Sequence, residues 1–202
     1  MRAIDLNGAT RDVLAPVCGT CAWWQRGRPA EDQPAAASPR LAWEYAVEAE
    51  AGFFGRALLD GDNVLGWMHT APAHLVSSSQ GLPAGPPSAD AYLLMCSYFY
   101  DEQYLAGFQR LLQEIQAALK HRRVAALEAF AATRSPVEER FRGYLREANL
   151  FNPEVLEGNG FRPVRRVGDV SRYRLELATL VATSRRSRAW EELEPGTAAQ
   201  PI

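Results

Sequence analysis

The chain has 202 residues, 47% of them hydrophobic, which suits one domain with appendages and a sizeable core. Its formal net charge of -2 gives no reason to expect nucleic acid or an anionic membrane as a partner. No apolar run approaches the roughly 18 residues of a membrane span. No basic segment followed by an apolar run opens the chain, and three cysteines do not make a disulfide framework. These features predict a cytoplasmic protein.

The N-terminal segment, residues 1–39, is predicted to contain a short strand at 1–6 and a Gly-, Pro- and Ala-rich loop from residue 25. Between them, Cys18 and Cys21 precede two tryptophans. A zinc site would need a second paired motif, which the sequence lacks. A redox pair would need a thioredoxin-like strand and helix around it. The favoured interpretation is two half-buried thiols beside aromatic core residues, with no metal.

The next part of the chain is predicted to form a helix, a hairpin and a long loop. Helical spacing of apolar residues from Leu41 to Ala51 indicates a helix that stops at Gly52. Asp60-Gly61 is a turn signal between two strand-like runs. Residues 71–89 hold four prolines, four serines and two glycines, and so predict a loop.

The central stretch, residues 91–128, predicts a strand, a helix and a second strand. A continuous apolar run begins at Ala91, which is typical of a strand buried on both faces. Apolar residues then recur at helical spacing at Leu105, Phe108, Leu111, Leu112, Ile115 and Leu119. A second short apolar run starts at Val124. Such a unit has parallel strands and a right-handed crossover, and the turn before its helix is a natural anion site.

The late part of the chain predicts one capped helix and two strands. Mixed charges at 133–148 indicate a solvated helix or an insertion. Asn152 can cap a helix whose first residue is Pro153. Residues 162–167 and 171–180 alternate well enough for two antiparallel strands. The core domain is therefore expected at 40–181, followed by a polar tail at 182–202.

Several local patterns can be combined with this order of elements. Asn149 stands six residues before Val155-Leu156, and Gly160-Phe161 follows. The hairpin reads Asp-Gly-Asp-Asn-Val-Leu-Gly-Trp, one strand reads Leu-Glu-Ala-Phe and the last reads Arg-Tyr-Arg-Leu-Glu-Leu. Together they resemble the GCN5-related N-acetyltransferase (GNAT) superfamily over roughly residues 40–180, and bacterial members that share the Cys-x-x-Cys start. The resemblance implies an α+β fold, an α/β/α sandwich around a mixed, splayed sheet.

The resemblance also implies acetyl-coenzyme A (acetyl-CoA) as cosubstrate, bound between the splayed strands 91–99 and 124–130. Its pantetheine arm would pair with the first strand and its pyrophosphate would lie on the turn before the long helix. The positions that match cofactor contacts are Cys96, Ser97, Tyr98, Phe99, Gln103, Ala106, Gly107, Phe108 and Asn149. Two positions depart from the family pattern. Phe108 is bulky where backbone must approach phosphate, and Leu156 replaces a tyrosine that protonates the departing thiolate.

Two residues are candidates for catalysis. Glu128 lies on the strand that lines the family's acceptor channel, and it could remove a proton from the amine or form an ion pair with an arginine. Tyr98 could replace the missing tyrosine as proton donor, or it could pack in the core. A strand histidine, His69, could also face the acceptor, although a structural role is favoured.

Two functions remain open at this point. The first is an N-acetyltransferase that moves an acetyl group to a primary amine of a small molecule or protein. The second is a GNAT-fold binding or regulatory module without catalysis. A pocket filled by Phe108 and Tyr98 would favour the second. A homodimer through the late strand pair is an additional expectation, and the acceptor is not predictable from these residues.

Overall fold

The computed structural model describes residues 1–26, 38–100, 104–133 and 150–179. Seven strands form one sheet, and their bounds are β1 Arg2–Leu6, β2 Gly55–Asp60, β3 Asn63–Pro72, β4 Ala91–Phe99, β5 Ala126–Ala132, β6 Arg162–Val167 and β7 Val170–Glu176. Within the described residues, six helices accompany them: α1 Pro16–Thr20, α2 Trp23–Arg26, α3 Pro39–Ala51, α4 Ser77–Gln80, α5 Tyr104–His121 and α6 Pro153–Gly158. Two 3-10 turns lie at Arg11–Val13 and Ala73–Leu75.

The sheet is mixed, with the strand order β1-β2-β3-β4-β5-β7-β6. Of these seven described strands, only β4 and β5 pair in parallel, and every other neighbouring pair is antiparallel. This arrangement follows from the connections. Tight turns join the antiparallel pairs β2–β3 and β6–β7, whereas α5 carries the chain back across the sheet between the parallel strands β4 and β5. The first strand pairs with β2 and so extends the same sheet as the rest of the chain.

Helices cover both faces of the sheet, and each face has its own core. On one face, the α5 face, the helices α5 and α6 pack on the sheet, and Phe151 and Phe161, which flank α6, join the same core. The core residues of the two helices include Phe108, Leu111, Ile115 and Leu156. On the other, the α3 face, the first three helices pack through Cys18, Trp24, Trp43 and Val47. The predicted α/β/α sandwich is therefore confirmed. No described helix combines the length and the apolar character that a membrane crossing requires.

Local sequence signals account for several element boundaries. α3 ends at Gly52, whose φ of 76° is left-handed and whose N–H donates to the carbonyl of Glu48. The Asn152 side chain accepts the N–H of Glu154 at 2.8 Å and starts α6, as predicted. The long loop predicted at 71–89 differs in detail, because it contains a 3-10 turn and the single turn α4. The last strand ends at Glu176, four residues earlier than predicted.

Candidate functional site

β4 and β5 separate half-way along β4. Their ladder pairs Ala91–Leu94 with Ala126–Ala129, whereas β4 continues along β3 to Phe99. On β3, Thr70 pairs with Leu94 and its neighbour His69 pairs with Cys96. Met95 therefore has no partner position on β3 and is one extra residue in β4. Such a β-bulge bends the strand and leaves its extra residue out of the ladder. The separation therefore begins at the bulge.

Side-chain directions along β4 agree with this bulge. Leu94 packs on the α5 face, whereas Met95 and Cys96, although consecutive, both pack on the α3 face. A regular strand would place neighbours on opposite faces. On the other side of the opening, Phe151 donates its N–H to the carbonyl of Phe130 at 2.8 Å and so extends the β5 side. The described part of the site is thus a wedge in the sheet, bounded by β4 and β5.

The first turn of α5 lies beside the end of β4, where Gly107 is close to the ring of Phe99. Two residues predicted to contact the cofactor, Gln103 and Asn149, lie outside the described residues. Ala106 is exposed, whereas Gly107 and Phe108 are buried. A side chain at Gly107 would meet the ring of Phe99 at 2.8 Å, so this glycine allows the helix to approach the sheet closely.

The ring of Phe108 lies in the core between α5 and the sheet. It is 1% exposed, and it meets Phe151 edge-on with 6.1 Å between ring centroids. Its position follows from the helical spacing that it shares with Leu111, Leu112 and Ile115, all of them buried. The bulk of this residue therefore faces the core, on the side away from the exposed Ala106.

Tyr98 belongs to an aromatic group on the α3 face. Its ring stacks on Trp67 with centroids 4.6 Å apart, and it meets Tyr100 edge-on at 5.1 Å. Tyr98 is half-buried, whereas Tyr100 is mostly exposed. Partial burial raises the pKa of the Tyr100 hydroxyl, and Tyr98 and Cys18 add to that shift. Tyr98 thus packs in the core and lies on the strand that borders the wedge.

Glu128 is fully buried, and both of its carboxylate oxygens are hydrogen-bonded. Ser88 donates its hydroxyl at 2.7 Å and its backbone N–H at 3.1 Å. Arg172 donates at 2.7 Å and Arg174 at 3.3 Å. Arg174 also binds Asp90, and this hydrogen bond lowers the pKa of the Asp90 carboxyl. Glu128 therefore joins the end of the long β3–β4 loop to β7.

A second buried polar network, which the sequence analysis did not assemble, crosses the α3 face. Glu44 accepts hydrogen bonds from Arg40 at 2.6 Å and from Arg11 at 2.9 Å. Arg40 also contacts the Nε2 atom of His69 at 2.7 Å, and the Nδ1 atom of His69 lies 3.3 Å from the Sγ atom of Cys96. The available signal was the spacing of Arg40 and Glu44, which are four residues apart on one helix.

His69 is neutral in the folded protein. Burial, and next the positive charge of Arg40, hold the pKa of His69 well below its ordinary value of 6.5. Because arginine only donates hydrogen bonds, Nε2 must be the accepting nitrogen. The ring proton is therefore on Nδ1, which points at the Sγ atom of Cys96.

This neutral histidine gives the fold a measurable pH dependence. Below about pH 6.5 the unfolded chain binds a proton at His69 that the folded chain does not. The free energy of unfolding therefore decreases as the pH is lowered, by up to ~1.4 kcal/mol per pH unit. Urea unfolding between about pH 7 and 5 should show a steeper loss in the wild type than in His69→Gln. The other two histidines are present in both proteins, so their contributions to the pH dependence cancel in the comparison. Parallel pH profiles would contradict the neutral state.

The two remaining cysteines and Leu156 can also be located. Cys18 is buried in the α3-face core and Cys21 is half-buried, and neither forms a disulfide. Within the described ranges there is no group of three or more residues that could hold a metal ion. Leu156 is fully buried in the α5-face core.

Comparison with known proteins yields structures only. No family model matches the sequence, and no curated protein matches it. YncA from Salmonella typhimurium, described as an acetyltransferase and solved with acetyl-CoA, superimposes with a TM-score of 0.51 at 12% identity. The superposition covers 90% of this chain and 96% of YncA. The protein has the GNAT acetyltransferase fold.

A second solved structure has the same fold. It is the ribosomal-protein-alanine N-acetyltransferase from Brucella melitensis, with a TM-score of 0.50 and 11% identity. The superposition covers 87% of this chain and 99% of the Brucella chain. At these identities the likeness concerns the fold and not the reaction or the substrate.

Proposed function

We propose that the protein is an N-acetyltransferase that moves an acetyl group from acetyl-CoA to a primary amine of a small molecule or protein. The observation that carries the proposal is that two features of β4 are adjacent. The β4–β5 ladder ends at Leu94, and the β-bulge at Met95 follows directly. A strand edge that opens beside a bulge can accept an extended chain such as pantetheine and direct a backbone N–H at its thioester.

The binding mode follows from the positions of β4 and α5. The pantetheine arm would lie along Cys96, Ser97, Tyr98 and Phe99. The pyrophosphate would lie at the start of the 18-residue helix α5, where unpaired N–H groups and the helix dipole favour negative charge. Gln103, Ala106, Gly107 and Phe108 would contribute backbone there, and Asn149 a side chain. The core position of the Phe108 ring supports this mode, because the ring does not cover the exposed turn.

For catalysis, we favour positioning of the thioester over a strong protein base. The four hydrogen bonds to Glu128 support the ion-pair interpretation of this residue rather than a role in proton removal. Tyr98 remains the candidate proton donor, since it is half-buried on a strand that borders the wedge. Leu156 has no proton to donate.

The second candidate function is a binding or regulatory module. It is favoured by two observations. Glu128 is paired with two arginines. Leu156, which stands in the family's tyrosine position, is fully buried in the α5-face core. Only the acetyltransferase requires acetyl-CoA to bind, because the module would recognise another ligand or a protein partner. The two candidates also differ in whether free CoA is released when primary amines are added.

Titration with acetyl-CoA tests the proposal. At about 100 times its dissociation constant, the ligand should stabilise the fold by about 2.7 kcal/mol. A panel of small primary amines and a peptide with a free N-terminus should then release free thiol. Ala106→Glu, which puts a negative charge at the exposed first turn of α5, should weaken binding by about tenfold or more. Gln113→Glu, on an exposed position further along the helix, is the matched control. Absence of stabilisation at millimolar ligand would overturn the proposal.

A further inference from the structure

The strand β6 forms one edge of the sheet, and its outer side has no neighbouring strand among the described residues. All six of its residues are exposed. Two of them, Val164 and Val167, are large apolar side chains with 48% and 41% exposure. Arg165 and Arg166 lie between these two valines. An open strand edge with unpaired backbone groups is a place where a further strand can add.

The two arginines of this edge have no carboxylate partner within the described residues. Arg165 donates to the backbone carbonyl of Gly85 at 2.8 Å, and Arg166 donates to that of Gly168 at 3.2 Å. They pair with consecutive residues of β7, so their side chains project to opposite faces of the sheet. Charged side chains protect an open edge from unwanted pairing, whereas exposed valines beside them do not. The edge therefore suits a strand with negative charges on both faces and apolar residues on either side of them.

One segment of the chain has this complementary pattern. Trp190-Glu191-Glu192-Leu193 places two carboxylates between two apolar residues, as Val164–Val167 places two arginines. Each of these four-residue patterns occurs once in the whole sequence. Both patterns are symmetric, so the match holds in either strand direction. Because neighbouring residues of a strand point to opposite faces, each glutamate would meet one arginine.

The segment lies outside the described residues, and the chain is long enough to bring it to β6. Trp190 is 11 residues after Thr179, so the connection can span up to about 36 Å. The strand β6 has six residues and is about 20 Å long. The end of β7 lies beside the start of β6, since Arg174 pairs with Arg162. The whole outer side of β6 is therefore within reach.

We infer that Trp190–Leu193 adds to the outer side of β6 of its own chain as an eighth strand. Glu191 and Glu192 pair with the two arginines, and the apolar residues at either end cover the two valines. The outward backbone groups of β6 gain hydrogen-bond partners in the same step. A homodimer through the late strand pair would compete with this contact, because both use the open side of β6. The inference does not depend on the proposed function.

Hydrogen exchange of the full chain, resolved by nuclear magnetic resonance in the absence of ligand, tests this contact. The amides of Trp190–Leu193 and the outward amides of β6 should exchange about tenfold or more slowly than in Glu191→Arg/Glu192→Arg. Addition of Arg165→Glu/Arg166→Glu to that variant should restore slow exchange, because the charges match again.

The matched control is Glu194→Arg, which reverses a carboxylate next to the four-residue pattern and should keep the slow exchange. Equal exchange in the wild type and in Glu191→Arg/Glu192→Arg would overturn the inference. A combined variant that keeps its sheet by circular dichroism but exchanges fast would also overturn it. Slow exchange only at concentrations where light scattering shows a dimer would do the same, because the segment would then come from a second copy. Acetyl-CoA is absent throughout, so none of these results bears on the proposed function.

Discussion

Replacement of Glu128 with alanine is expected to lower the free energy of unfolding by about 3–5 kcal/mol, the usual cost of removing one partner of a buried ion pair. The substitution leaves Arg172 and Arg174, whose side chains are only 13% and 17% exposed, without the carboxylate that they share. It also frees the hydroxyl and N–H of Ser88, which anchor the β3–β4 loop. Urea unfolding followed by circular dichroism measures the change.

Glu176→Ala is the matched control for this prediction. Glu176 binds the same Arg174, at 2.6 Å, but its side chain is 54% exposed. An exposed pair of this kind contributes at most about 1 kcal/mol. Equal, small losses in the two variants would show that Glu128 does not hold the loop, and would reopen its assignment as a base.

Replacement of Glu44 with alanine is expected to cost a similar amount, about 3–5 kcal/mol. Glu44 is the carboxylate partner of Arg40, and both side chains are nearly inaccessible, at 4% and 3% exposure. Without it the Arg40 guanidinium keeps the nitrogen of His69 and the rings of Trp43 and Phe54 as neighbours. None of these carries a negative charge, so the charge of Arg40 would remain buried and uncompensated.

Glu50→Ala, on the same helix, is the control. Its partner is His74, and the two side chains are 46% and 59% exposed. The expected change is within about 0.5 kcal/mol, as for most surface substitutions. A loss at Glu44 no larger than that at Glu50 would contradict the buried network.

The repeating patterns of the chain were sufficient to predict its central unit. The long helix begins and ends where the apolar spacing from Leu105 to Leu119 places it, and the flanking apolar runs are β4 and β5. The same spacing explains why Phe108 is a core residue. Alignment with the phosphate loop alone had predicted that its ring would block the approach of phosphate to the backbone. A helical face is set by several residues together, so it outweighs the size of one residue.

The features that define the candidate site could not be predicted in this way. The bulge at Met95 lies in an uninterrupted apolar run, with no glycine or proline to mark it. The arginine partners of Glu128 come from β7, more than forty residues later, and were not identifiable before the strands were paired. Arg40 and Glu44 have the spacing of an exposed ion pair, and only the packing of α3 on the sheet buries them.

Hydrogen exchange with and without acetyl-CoA is the most direct test of whether the cosubstrate binds where β4 and β5 separate. The backbone amides from Met95 to Phe99 should exchange more slowly when acetyl-CoA is present, because the pantetheine arm hydrogen-bonds to that strand. The amides of β1, at the far edge of the sheet, should change less. Binding of acetyl-CoA that protects other segments and leaves Met95–Phe99 unchanged would contradict this position for the cosubstrate.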